Sequence, residues 1–144
     1  MAGVYDITKG LLAQETLGWA SPLAVFKALL VAPTYVFNAL HQHVSDVVAH
    51  EVSGGTYARV LVTARTASFD IGTGRGVIDA DDSVFPDLTV VSAAGIIIYR
   101  QVGGNDSYPG ASPVILYYDF PLYVSDGSNL KFEYSVQGLT YLTS

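Results

Sequence analysis

The chain has 144 residues, 7 basic and 13 acidic side chains, a net charge of -6 and no cysteine. That length is one domain's worth, and the missing cysteine excludes disulfides, thiolate metal sites and a cysteine nucleophile. The few basic residues (Lys9, Lys27, Arg59, Arg65, Arg75, Arg100, Lys131) are scattered, so no patch exists for a phosphate backbone and nucleic acid is not an expected partner.

Charged residues are 14% of the chain against roughly 25% in an ordinary soluble domain, while apolar residues reach 50%. With ten tyrosines, this argues that part of the surface faces protein rather than water, because interfaces lose Lys and Glu and gain Tyr. The longest apolar run, residues 21 to 37, contains Pro22, Lys27 and Pro33 and falls short of the ~20 apolar residues of a membrane span. No secretory leader is expected at the N-terminus, and no membrane partner either.

Taken in order, residues 1 to 16 predict a helix, with Val4, Ile7, Leu11 and Leu12 near helical spacing and Gly18 as its stop. Such a short amphipathic helix needs something to dock on, so residues 1–18 are expected as a helical docking arm on a single β-rich domain spanning 1–144. Residues 23 to 31 read as the first strand, closed by Ala32-Pro33. Leu40, Val44, Val47 and Val48 repeat at helical spacing and predict one further short helix near 40–50.

After Ser53-Gly54-Gly55, residues 57 to 64 predict a strand, 66 to 71 its continuation or a new strand after a bulge, and 77 to 80 the return after the glycine-rich turn at 72–76. Residues 92 to 120 carry the organising feature. Two β-branched and aromatic runs, 92 to 102 and 114 to 120, flank a segment holding Gly103, Gly104, Pro109, Gly110 and Pro113. Ile96, Ile97 and Ile98 point to both faces in turn, so this hairpin is expected at a sheet centre covered on both sides. Its long loop, 103–113, is the expected carrier of recognition. Residues 130 to 136 alternate cleanly, with Leu130, Phe132, Tyr134 and Val136 on one side, and residues 139 to 142 finish the chain. Seven or eight strands with turns about every ten residues predict a mainly β fold, an antiparallel β-sandwich or jelly roll.

Chemistry is sparse. His43, Asp46 and His50 would share a helical face at i, i+3 and i+7, a ligand-like spacing, but no fixed zinc pattern is matched and imidazoles bonded to backbone are the plainer reading. Residues 72–76 lack the Gly-Lys-Ser/Thr ending of a phosphate loop and read as a hairpin turn. Asp79, Asp81 and Asp82 read as solvating a strand end. No nucleophile elbow, triad or cofactor fingerprint occurs, so no enzyme and no cofactor is expected. Adjacent Tyr117 and Tyr118 must face opposite sides of a strand, leaving one for an interface; with Tyr108 in the long loop they are the candidate interaction residues.

The segment order also resembles small virion structural proteins of tailed bacteriophages. The features are the Lys9-Gly10-Leu11-Leu12 helix, Trp19, Tyr35-Val36-Phe37-Asn38, and above all Ser45-Asp46 through Gly54-Gly55-Thr56-Tyr57-Ala58-Arg59. The Ile96-Ile97-Ile98-Tyr99-Arg100 strand, its neighbour 114–120 and the Phe132-Glu133-Tyr134 close complete the set. The resemblance implies a non-catalytic component of the virion: capsid decoration or cement, neck or tail. Its partners would be copies of itself as a homo-oligomer and other virion proteins, such as the major capsid, neck or tail proteins. The alternative expectation is a carbohydrate-binding module for host-surface glycans, using exposed tyrosines of the central hairpin.

Overall fold

The computed structural model describes residues 2–72, 74–134 and 140–142. It is mainly β and antiparallel throughout. The strands are β1 (Ala2–Val4), β2 (Val25–Val31), β3 (Val60–Leu61), β4 (Thr66–Asp70), β5 (Arg75–Asp79), β6 (Ser83–Phe85), β7 (Ser92–Gln101), β8 (Val114–Val124), β9 (Leu130–Phe132) and β10 (Thr140–Leu142), with one α-helix, α1 (Asp6–Ala13). They form a five-stranded sheet in the order β1-β8-β7-β2-β3, a three-stranded sheet β10-β5-β4, and a two-stranded ribbon β6-β9.

The expected hairpin is β7 and β8, and β7 is the middle strand of the large sheet. Alternate side chains of β7 and β2 feed two separate cores, as the isoleucine triplet requires. On one face Phe26, Ala28 and Leu30 of β2 join Ile96 and Ile98 of β7, covered by Trp19, Ile78, Phe85 and Leu88. On the other face Leu29, Val31, Ile97 and Tyr99 meet Tyr5, Tyr35, Val44, Val47 and Tyr117. The first core is roofed by the two small sheets. The second is roofed by the irregular segment 35–50.

The segment expected as a continuous N-terminal helix divides in two. Residues 2–4 are extended and add β1 to the sheet edge, with Ala2 opposite Tyr118 and Val4 opposite Leu116. Only residues 6–13 are helical. The tie is a β-bulge: Ile98 faces Leu116 and Tyr99 faces Val114, which leaves Ile115 as the extra residue. Its carbonyl accepts the Tyr5 N–H at 3.2 Å and the Thr8 hydroxyl at 2.9 Å. Tyr5 is fully buried and Thr8 almost so. The segment read as a docking arm is thus sewn into the sheet of its own chain.

The expected helix near 40–50 is replaced by two single 3-10 turns, Val44–Asp46 and Val48–His50. The apolar spacing is correct only in part: Val44 and Val47 are buried, while Leu40 and Val48 are exposed. The backbone explains the outcome. The N–H groups of Val44 and Ser45 go to the carbonyls of Ser112 and Pro109 in the hairpin loop, not to a preceding helical turn. The strand expected over 57–64 shrinks to Val60–Leu61, and Ala64 takes a left-handed backbone at φ 52° that breaks it from β4. The alternation at Leu130, Phe132 and Tyr134 is kept as half-buried against exposed Lys131 and Glu133, and residues 135 and 136 lie outside the described residues.

Candidate interaction surface

The long hairpin loop is organised by one carboxylate. Asp106 accepts from Tyr99 Oη at 2.7 Å, Gln101 Nε2 at 2.8 Å and Lys27 Nζ at 3.0 Å. These donors stand on β2 and β7, so the loop is strapped back over the sheet that carries it. Behind Asp106 lies Arg59, whose Nη1 donates to Tyr99 Oη at 3.1 Å and whose guanidinium lies 5.1 Å from the Tyr99 ring centre. Arg59 also makes a two-point pair with Glu51: Nε to Oε2 at 2.8 Å and Nη2 to Oε1 at 2.7 Å. Tyr57 completes the set, donating to Glu51 at 2.7 Å while accepting the Leu30 N–H at 3.1 Å.

The electrostatics follow from this packing. Burial opposes ionisation of Asp106, but the three donors outweigh it and bring its pKa down to about 2. The Glu51 contact, against the opposing effect of burial, raises the pKa of Arg59, which stays charged. Burial, then Asp106, pushes Tyr99 well above the usual tyrosine range, and burial, then Glu51, does the same to Tyr57. The network is a lattice of three ion pairs, Lys27–Asp106, Arg59–Glu51 and Arg59–Asp106, with neutral phenols between them.

The rest of the loop is equally tied down. Asn105 Oδ1 accepts the Ser107 N–H, Tyr108 O accepts from Ala111 and Ser112, and Ser112 Oγ accepts the Val102 N–H. Tyr108 is half exposed, at 51%, and its ring lies over Gly103, where an added Cβ would sit 2.4 Å from ring carbon Cδ2. Gly103, at φ 88°, supplies both the turn and the room.

The other two candidate tyrosines are placed differently. Tyr117 and Tyr118 do face opposite sides of β8, Tyr117 buried and Tyr118 half-buried. Tyr117 is 7% exposed, stacked on Phe37 at 5.5 Å and edge-on to Tyr35 at 5.3 Å. Gly3 and Gly95 make room for this pair, since a Cβ at either would fall within 2.6 Å of the Phe37 or Tyr117 ring. Tyr118 packs with Phe132 and Tyr134 over the other core. Of the three, Tyr108 is the most exposed.

His43, Asp46 and His50 do not converge. The Asp46 carboxylate is occupied by the backbone N–H groups of Gln42 and His43, at 2.9 and 3.1 Å, which lower its pKa. His50 Nδ1 faces Thr34 Oγ1 at 3.3 Å, and His41 Nδ1 lies 3.1 Å from Tyr35 Oη. Among the described residues no group of three His, Asp or Glu is close enough to hold a metal ion. Asp82 pairs with Lys131 at 3.2 Å and accepts the Tyr134 N–H, while Asp79 accepts from its neighbour Ala80. Among the described residues no helix is long and apolar enough to cross a membrane.

What the surface does offer is apolar. Large hydrophobic side chains stand well exposed at Leu23, Val36, Leu40, Ile71, Phe69, Val90 and Leu122, among others. Phe69 belongs to β4, an edge strand, and Ile71 follows it at the tip of the β4–β5 hairpin. Val90 holds a left-handed backbone at φ 62°, a strained geometry for a β-branched residue. Comparison with protein-family models, with curated proteins and with solved structures finds no match to this chain.

Proposed function

We propose that this chain is a non-enzymatic structural protein of a bacteriophage virion, working through contacts with copies of itself and with other virion proteins. One observation carries the reading. Exposed Leu, Val, Ile and Phe side chains are spread over the surface of a chain with only 14% charged residues. Scattered exposed apolar residues are normal on any protein, but this density with so little charge fits a surface made to be covered. The resemblance of residues 45–59 and of the central hairpin to small tailed-phage proteins points the same way. Capsid decoration, neck or tail are the positions such a protein fills. Within this proposal the five-stranded sheet and the small sheets against one of its faces form a sandwich-like arrangement.

The test is the mass of the purified chain by light scattering, together with mass spectrometry of particles of the phage that encodes it. An oligomer in solution and many copies per particle are the expected results. A strict monomer that is absent from particles overturns the reading.

Tyr108 favours a second reading, recognition of host glycans, because it places one exposed aromatic ring on a strapped-down loop. A glycan array distinguishes the two: saturable binding lost in Tyr108→Ala supports the second, and a blank array with an oligomeric protein supports the first.

A further inference from the structure

We propose that the cleft beside β2 binds a carboxylate carried on a short apolar body, with the Arg65 guanidinium as its anchor. The cleft has a volume of about 380 Å³ and lies between the start of β2 and residues 61–65, just past the two-residue β3. Phe26, Leu61, Thr63 and Arg65 line it. Leu61 is 59% exposed at its mouth, and Leu23, beside the lining residues Pro22 and Ala24, is 92% exposed.

Arg65 is held in place by contacts that leave its charge unanswered. Its Nη2 donates to the carbonyls of Ser21 at 3.1 Å and Ala24 at 2.7 Å. Its guanidinium carbon lies 4.8 Å from the centre of the Phe26 ring, in cation–π range. Nη1 is buried and has no acceptor among the described residues. No described carboxylate pairs with Arg65, although Lys9, Lys27, Arg59 and Lys131 each have one. Arg100 pairs with no described carboxylate either, but it gives Nη1 to the Thr16 carbonyl, whereas Arg65 keeps a buried donor with no acceptor among the described residues. Burial lowers its pKa, the direction an incoming anion would reverse.

The ligand class follows. With Nη2 committed to two carbonyls, Nη1 is the donor left for one oxygen of a carboxylate, and the positive charge attracts the anion as a whole. The apolar walls select carbon next to that carboxylate, and the overall charge of -6 disfavours a ligand with several negative charges. Nη1 is closed to solvent, so a ligand oxygen reaches it only with a turn of the Arg65 side chain. The proposal is independent of the virion reading, since the chemistry is the same for a small acid and for a chain terminus.

The experiment is a titration of the full chain, read on backbone amides and arginine Nε–H signals by NMR. The probes are N-acetyl-leucine, its amide, and the tripeptide acetyl-Ala-Ala-Leu with a free or amidated end. The expected result is saturable shifts at residues 61–65 with both acids, and about tenfold or weaker binding for both amides. A tripeptide acid that binds about tenfold tighter than the single residue identifies a peptide terminus as the source, and equal affinity identifies a small acid. Arg65→Met, which keeps the apolar stem, loses the response. The exposed substitution Thr63→Glu, which puts a like charge in the cleft, loses it too and serves if Arg65→Met does not fold. Equal binding of acid and amide, shifts mapping elsewhere, or full affinity in a folded Arg65→Met or Thr63→Glu protein overturns the proposal.

Discussion

The two faces of the central sheet solve the same burial problem by different means. One face is covered by strands, whose backbone groups satisfy each other, so its core is aliphatic and aromatic carbon with few polar atoms: Phe26, Ile96, Ile98, Phe85 and Leu88. The other is covered by segment 35–50, which has no ladder of its own. Its backbone groups must be answered one at a time, by the hairpin loop, by Asp46 and by the Asp6 N–H, which the Ala39 carbonyl accepts. The side chains there carry hydroxyls for the same reason, and Tyr5, Tyr35 and His41 form a chain with contacts of 2.8 and 3.1 Å. The strand-roofed core has hydroxyls too, but at its margin, where Tyr134 meets Ser83 and Tyr57 meets Glu51; on the irregular side the fully buried Tyr5 carries its hydroxyl into the core.

The comparison breaks most sharply at Phe26. Phe26→Ala removes a fully buried ring packed 4.8 Å from Trp19, and a loss of about 3–5 kcal/mol in urea unfolding is expected. A loss under about 1 kcal/mol would mean the strand-roofed core is not the main stabilising mass.

On the irregular side the largest single effect is expected at Glu51. Its side chain is 12% exposed and that of Arg59 is 16%, so Glu51→Gln leaves a poorly solvated cation and costs about 2–3 kcal/mol. Glu51→Gln with Arg59→Met removes both charges and is expected to recover about half of that loss. An additive double variant would show that the pair is not coupled.

Tyr35→Phe sharpens the polar account specifically. It removes the hydroxyl that meets both Tyr5 and His41 while keeping the ring contacts, and about 1–2 kcal/mol is expected to be lost in the same assay. A neutral result would assign this face to ring packing alone.

The smallest effect is expected at Asp106, whose side chain is 36% exposed and therefore screened. Asp106→Asn is expected to cost on the order of 1 kcal/mol and to speed amide exchange in residues 103–112. Its folded pKa of about 2 lies below the unfolded value of 3.8. The stabilisation is therefore complete above about pH 4 and disappears as pH falls from there toward about 2. A pH profile in that window that is identical for wild type and Asp106→Asn would refute the strap.

The strand-roofed half is also the more legible half of the sequence. β2 and the β7–β8 hairpin stand out because long β-branched runs between turn residues have few alternatives. The triplet Ile96–Ile98 announces two covered faces through period alone. The irregular half hides its structure because its partners are far apart in the chain. β1 was masked by apolar residues at helical spacing, and only pairing with residues 116–118 makes it a strand. Leu40 and Val48 fit a helix pattern but face solvent, since the backbone at 44–45 is committed to the hairpin loop. Tyr117 reads as half of an ambiguous pair, and nothing local reveals that Gly3 and Gly95 leave a seat for its ring cluster. The Glu51–Arg59–Tyr99–Asp106 network joins residues from three separate stretches and has no motif. The chief signal was composition: with few charges available, those near apolar strands were worth pairing off.

The bulge at Ile115 has a consequence in time as well as in space. Tyr5, Thr8 and β1 are emitted early in synthesis, but their acceptors lie on β8, so the opening segment stays unsatisfied until the second strand of the hairpin has left the ribosome. The stitch that closes the sheet edge is therefore among the last to form. A nascent chain stopped before Val114 would hold its first strand open to any other exposed edge, including that of a neighbouring copy.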